Sequence, residues 1–186
     1  MKVDTTKIDG ILVIHPSVFP DDRGFFTEVY RKDVYSKLGI DQEFVQDNYS
    51  RSRRGTIRGL HFQWQPPQSK LMRVTRGRAF VMAVDIRRNS PTLGEWFGLE
   101  ISEEDKTQVW APAGFARGFC ALSEIVDVQY KCTAIYNPRC ESGIRWDDPD
   151  LAIDWPLQEV HLSEKDRNAP TLAQWLEREE SKNFLI

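Results

Sequence analysis

"VDVQYKCTA", residues 126–134, changes character at every step. Val126, Val128, Tyr130, Cys132 and Ala134 alternate with Asp127, Gln129, Lys131 and Thr133. A period of two gives an extended strand one apolar and one polar face. A strand is therefore expected over about 125–136, with Tyr130 turned inward and its hydroxyl in need of a partner. Working outward, further strands are predicted over 11–14, 25–30, 44–48, 57–63, 71–75, 79–86 and 108–111. Turn signals separate them: Asp22-Arg23-Gly24, Arg76-Gly77, Asn89-Ser90-Pro91 and Asn137-Pro138. Short strands at this spacing predict an all-β antiparallel sandwich or barrel of the jelly-roll class. Two helices are expected at its periphery. One covers about 31–38 and stops before Gly39; the other covers about 171–180, started by Asn168 and Pro170, with Leu172, Trp175 and Leu176 on one face.

At 186 residues and 40% hydrophobic content, the chain suffices for one sizeable core, so a single domain over 1–186 is expected. No apolar run has the length of a membrane-spanning helix, and Met1-Lys2-Val3-Asp4 turns polar too soon for a signal peptide. Cys120, Cys132 and Cys140 form no even set and no CxxC pair, which fits reduced packing thiols in a cytoplasmic protein. The net charge is only −3, but between Asp47 and Asp85 there is no acidic residue at all. That interval holds Arg51, Arg53, Arg54, Arg58, Lys70, Arg73, Arg76 and Arg78. A segment cleared of carboxylates in an acidic protein suggests an anion site. Nucleic acid is not the expected partner, because the chain as a whole is acidic and has no basic helix or RNA-binding motif.

"RGLHFQ", residues 58–63, lies inside that interval. Strict alternation would put Arg58 and His61 on opposite faces. For both to meet one ligand the pleat must break between them, and Gly59 is where a bulge is expected. The three histidines, at 15, 61 and 161, include no close ligand pair, so no metal is expected, and His15 and His161 read as structural or solvent-facing. No G-x-S-x-G elbow and no Gly-rich phosphate loop occurs. A neutral histidine inside a barrel, an inward tyrosine and a nearby cation suit removal of a proton from carbon beside a carbonyl. The cation would meet the enolate oxygen, and the phenol would return a proton from the other face.

The ordered blocks "DDRGFFTE" (21–28), "FVQDN" (44–48), "RGLHFQWQPPQSKLMRV" (58–74), "AVDIRRNSPTLGEW" (83–96), "APAGFARGFCALSE" (111–124), "YKCTAIYNP" (130–138), "GIRWDDPDLAIDWP" (143–156) and "SEKDRNAP" (163–170) resemble the dTDP-4-dehydrorhamnose 3,5-epimerases. The resemblance spans about residues 10–172. It implies a metal-free cupin-type β jelly roll, a homodimer, no cofactor and a dTDP-sugar substrate. It also implies His61 as catalytic base, Asp166 as the carboxylate orienting it, Tyr130 as proton donor and Lys70 beside the enolate oxygen. Arg23, Glu28, Gln46, Asp47, Asn48, Arg58, Glu141 and Lys165 match positions that hold nucleotide and sugar, Arg23 and Glu28 in the neighbouring subunit's site. Tyr136 and Trp146 match aromatics near the pocket. One position departs: where the family reads G-F-A-H-G-F, this chain has Arg117 in place of the histidine. Arg117 is longer and permanently charged, and is expected to bind the ketone or pyrophosphate or to reshape the sugar pocket. The implied reaction is inversion at C3 and C5 of dTDP-4-dehydro-6-deoxy-D-glucose. The alternatives are a single-centre epimerase on a related sugar and a non-catalytic sugar-nucleotide-binding module.

Overall fold

Alternation over 126–134 has a partner for each of its faces. The computed structural model describes residues 1–184. Its strands are β1 (Lys2–Thr5), β2 (Leu12–His15), β3 (Val18–Asp21), β4 (Gly24–Thr27), β5 (Gln46–Arg53), β6 (Ile57–Gln63) and β7 (Lys70–Arg76). There follow β8 (Arg78–Asp85), β9 (Trp96–Ser102), β10 (Gln108–Ala111), β11 (Phe115–Ala121), β12 (Ile125–Cys132) and β13 (Glu141–Gly143). Three short helices are α1 (Lys32–Ser36), α2 (Glu164–Arg167) and α3 (Leu172–Leu176). A six-stranded antiparallel sheet, in the order β1-β2-β10-β7-β12-β5, faces a five-stranded one, β13-β6-β11-β8-β9; β3 and β4 form a separate hairpin.

The space between the sheets is filled from both sides. Met72, Val74, Val109, Val126 and Val128 of the larger sheet pack with Val81, Ala83, Ile101, Phe115 and Phe119 of the smaller one. Both outer faces are partly covered as well. Leu60, Phe62, Met82, Val84 and Ala116 lie under Ile144, Leu151, Trp175 and Phe184 of the C-terminal segment. Ile14, Leu71 and Trp110 lie under Tyr35 and Ile40 of the α1 region. Burial on this extent of apolar surface is what outweighs the chain entropy of ordering so many short strands.

The expected strands at 57–63 and 108–111 have those bounds. The one at 125–136 stops at Cys132, because Thr133 and Ala134 turn to bond Ser69 and Gln68 at the start of β7 instead of continuing the ladder. The expected C-terminal helix is shorter and starts later: Thr171, not Asn168 or Pro170, caps α3 in a reciprocal pair with Gln174, and a 3-10 turn over Glu179–Phe184 takes up the rest. β1, β3, β9, β11, β13 and α2 were not expected from the sequence.

Candidate active site

Gly59 does break the pleat. Arg58 pairs with Phe119 and His61 with Arg117, so two residues of β6, Gly59 and Leu60, stand against one of β11, Gly118. Cross-strand partners share a face, and Phe119 points into the core between the sheets. Arg58 and His61 therefore both turn inward, while Leu60 and Phe62 pack outside. Gly59 has φ +133°, and a β-carbon there would stand 2.6 Å from the Gly118 α-carbon. Only a residue without a side chain fits.

The bulge delivers His61 to Asp166. Their contact, Nε2 to Oδ1, is 2.5 Å. Asp166 sits in α2, whose first turn is closed by the Ser163 hydroxyl accepting the Asp166 amide at 3.1 Å. Burial pushes the Asp166 carboxyl up, but the His61 hydrogen bond and charge, with Ser163 and the Gly59 amide, outweigh it and hold the group below its ordinary value. An ionised carboxylate only accepts, so Nε2 carries the proton and Nδ1 keeps the lone pair that a base needs.

Tyr130 and Lys70 approach from the other sheet. They lie on β12 and β7, with the Lys70 ammonium 5.1 Å from the centre of the Tyr130 ring. Burial, then Cys132, raises the Tyr130 phenol above its ordinary value, so it holds its proton at neutral pH. Burial, then the charge of Arg117, brings Lys70 down to about 8. His61, Lys70, Tyr130 and Lys165 all line two adjoining cavities, of about 450 and 160 Å³. Arg58, Arg117 and Asp166 complete one wall of the larger, and Gln46, Asn48, Tyr136 and Glu141 line the smaller. Glu141 accepts from the Tyr136 hydroxyl at 2.9 Å and from Lys165. Arg58 is braced by the Ser52 hydroxyl at 2.9 Å.

Volume alone does not select this site. A groove of about 590 Å³ between β9 and the β1–β2 edge has a histidine–carboxylate pair of its own, His15 with Asp4 at 3.1 Å. That pair is half exposed, Asp4 is shared with Lys2, and no tyrosine lines the groove. Among the described residues no three His, Cys, Asp or Glu side chains converge to hold a metal ion.

Two expected contacts need correction. Asp47 alternates with Gln46 and Asn48 on β5 and so faces the outside of the sheet, where Gln129 and Lys131 bind it at 3.1 and 2.9 Å. Arg117 does line the larger cavity, but its Nη1 donates to the Ala111 and Pro112 carbonyls and its Nη2 to that of Gln68. Its Nε is sealed from solvent without a partner. Three of its five N–H donors are therefore engaged by backbone carbonyls rather than aimed at a ketone or pyrophosphate. Trp146 lies against Trp155 and lines neither cavity. Arg23 and Glu28 stay outside this chain's own cavities, bound to Asp21 and Arg31. Arg53 and His161 also line the larger cavity and were not among the expected site residues. Only the acid-free interval around Arg53 hinted at it, and His161 gave no signal because its placement depends on a backbone bridge to Thr56.

The model of the family described as dTDP-4-dehydrorhamnose 3,5-epimerase matches residues 5–174. The chain belongs to this family. It is thus an isomerase of the epimerase class, built on the family's cupin-like β-sandwich. A dTDP-4-dehydrorhamnose 3,5-epimerase of Methanothermobacter thermautotrophicus is 51% identical over 166 residues, 88% of this chain and 90% of that protein. A Legionella pneumophila dTDP-6-deoxy-D-glucose-3,5-epimerase solved with dTDP-4-keto-L-rhamnose superposes with TM-score 0.91 at 49% identity, covering 92% of this chain and 93% of its own. A dTDP-4-dehydrorhamnose 3-epimerase of Streptomyces niveus is 36% identical over 94% of this chain and 85% of its own length. Members of one family thus carry names for one inverted carbon and for two.

Proposed function

We propose that the chain inverts C3 and C5 of dTDP-4-dehydro-6-deoxy-D-glucose to give dTDP-4-dehydro-L-rhamnose, within dTDP-rhamnose and surface-polysaccharide biosynthesis. One observation carries the reading: the His61–Asp166 pair on the smaller sheet and the Tyr130–Lys70 pair on the larger line the same cavities. The C4 ketone acidifies both neighbouring carbons. His61 Nδ1 takes the proton, and Asp166 stabilises the imidazolium that results. Negative charge moves to the ketone oxygen, where the Lys70 ammonium stabilises it. Tyr130 delivers a proton to the opposite face of the planar enolate, which inverts the centre. Proton transfer beside a ketone changes no oxidation state, so the step calls for no redox cofactor. Arg58 and Lys165 supply positive charge for the diphosphate, and Gln46 and Asn48 offer amides to the rest of the ligand.

The functional form is a homodimer. Arg23 sits at the tip and Glu28 just after the end of a hairpin whose Phe19, Phe25 and Phe26 are 58%, 55% and 67% exposed, a large apolar cost for a surface with no partner. A second copy would cover it and bring both polar residues to the neighbouring cavity. Cys120, Cys132 and Cys140 are all free thiols, which supports a cytoplasmic location.

Incubation with dTDP-4-keto-6-deoxyglucose in heavy water, followed by NMR, tests the reaction. Deuterium at C3 and C5 with a rhamno-configured product is expected. The departure at Arg117 favours one further reading, inversion at a single carbon, and deuterium at one position only would select it. Binding without any exchange would leave only a sugar-nucleotide-binding module.

A further inference from the structure

Arg117 is 5% exposed, yet no carboxylate pairs with it among the described residues. Burying an unpaired cation is costly, and an apolar side chain of similar size would ordinarily serve a core better. The costs are met by three carbonyls, and their positions are informative. Ala111 ends β10 and Pro112 follows it; Gln68 lies two residues before Lys70. The same short approach is fixed on its other sides. The Gln68 side chain donates to the Ala134 carbonyl at 2.8 Å, the Ser69 amide to the Thr133 hydroxyl at 2.9 Å, and the Ala113 amide to the Ser69 hydroxyl at 3.0 Å. Arg117, on the opposite sheet, closes this clamp across the sandwich.

We infer that Arg117 is a positioning residue for the enolisation: it clamps the 68–69 approach that carries Lys70 into the cavity and keeps a fixed positive charge behind the ammonium, without touching substrate. This rests on the role of Lys70 proposed above. The groups around Lys70 are few. Arg117 on β11 and Lys165 on α2 oppose its protonation, Cys132 on β12 and Glu141 on β13 favour it, and the Tyr130 ring and His61 border the same space. Among the opposing charges Arg117 is the larger, and it is the one held rigidly. The negative charge of an enolate oxygen at the ammonium offsets the repulsion that Arg117 exerts on Lys70.

Three variants separate the possibilities. Arg117→Gln keeps donors for the carbonyls and removes the charge. In it, the Lys70 amine, followed by NMR on lysine-labelled protein, should titrate about one pH unit higher, and the alkaline limb of kcat/KM should move with it. Arg117→Lys keeps the charge and loses the fork, so the limb should stay in place while kcat falls about tenfold and KM changes less than about twofold. An unmoved Lys70 titration in Arg117→Gln would reduce Arg117 to a structural strut and overturn the inference. So would a rise in KM with kcat unchanged in either variant, because that is direct substrate binding. If Arg117→Gln does not fold, wild-type Lys70 titrating near the ordinary lysine value overturns it equally. Lys70→Met with full activity would remove the catalytic role of Lys70 while leaving the NMR coupling to Arg117 intact, so the two failures are distinguishable.

Discussion

His61 and Tyr130 are asked to do different halves of one inversion, and variants should split accordingly. His61→Ala removes the base and should lower kcat about 10²- to 10⁴-fold while the fold is kept, although the buried Asp166 loses its partner. Turnover close to wild type in that variant would refute the assignment. Tyr130→Phe leaves the base in place, so solvent deuterium should still enter the substrate faster than inverted product accumulates; equal loss of both would give the phenol another role. Lys70 sets the pH dependence on the alkaline side. Burial and Arg117 bring its amine down to about 8, so the charged form is full below that pH and is lost as pH rises through it. The enolate loses its counter-charge with the same sign: kcat/KM should fall above about pH 8, and the fall should disappear in Lys70→Arg, which stays charged. Of these residues only Tyr130 announced itself in the sequence by periodicity. His61 stood out by its place in residues 58–63, whereas Asp166, 105 residues away, and the role of Lys70 were assigned by resemblance, because a dyad between β6 and α2 has no local signature.

The bulge in β6 is where backbone and chemistry meet. Gly59→Ala places a methyl group 2.6 Å from the Gly118 α-carbon and 2.8 Å from the Arg117 carbonyl, at φ +133°. No flexible side-chain end is there to give way. A loss of at least about 2 kcal/mol is expected. For a chain of this size that lowers the melting midpoint by about 4–8 °C. Activity should fall further than stability, because straightening the pleat turns either Arg58 or His61 out of the cavity. Thermal melting and kcat measured together would show it, and an unperturbed Gly59→Ala enzyme would mean that the bulge does not set the register. This feature was readable beforehand, since the face conflict between Arg58 and His61 and the glycine between them are both in the sequence. β11 was not readable for the opposite reason. Phe115–Ala121 is buried at every position, inner residues against the other sheet and outer ones against the C-terminal segment, so no alternation survives. Strands with one wet face, such as β12, report themselves; strands covered on both faces do not. α2 escaped because four residues are too few to show a helical period, although Ser163 and Asp166 stand at capping distance.

The hairpin of β3 and β4 belongs to no larger sheet, and its Phe19, Phe25 and Phe26 stay mostly exposed although Lys106 lies over the Phe25 ring. The Asp22-Arg23 tip carries the only expected ligand cation that lies in neither cavity, with its guanidinium 90% exposed and held by Asp21. In the proposed two-fold dimer an isologous interface would present each hairpin to the other copy's site. Mixing variants tests this without any structure of the assembly. Arg23→Ala and His61→Ala should each be nearly inactive alone. If Arg23 serves its neighbour, a heterodimer places the intact His61 of one subunit beside the intact Arg23 of the other. Random exchange of subunits at equal amounts should then recover about one quarter of wild-type activity. If Arg23 serves its own subunit, every site in the mixture keeps one defect and nothing is recovered. Phe25→Ser with Phe26→Ser provides the second arm: sedimentation should show monomer, and His61 should remain folded against Asp166 yet turn over poorly, because the cavity then lacks the partner's contribution. Full activity in a monomeric variant would remove the dimer from the mechanism and leave the site complete within one chain.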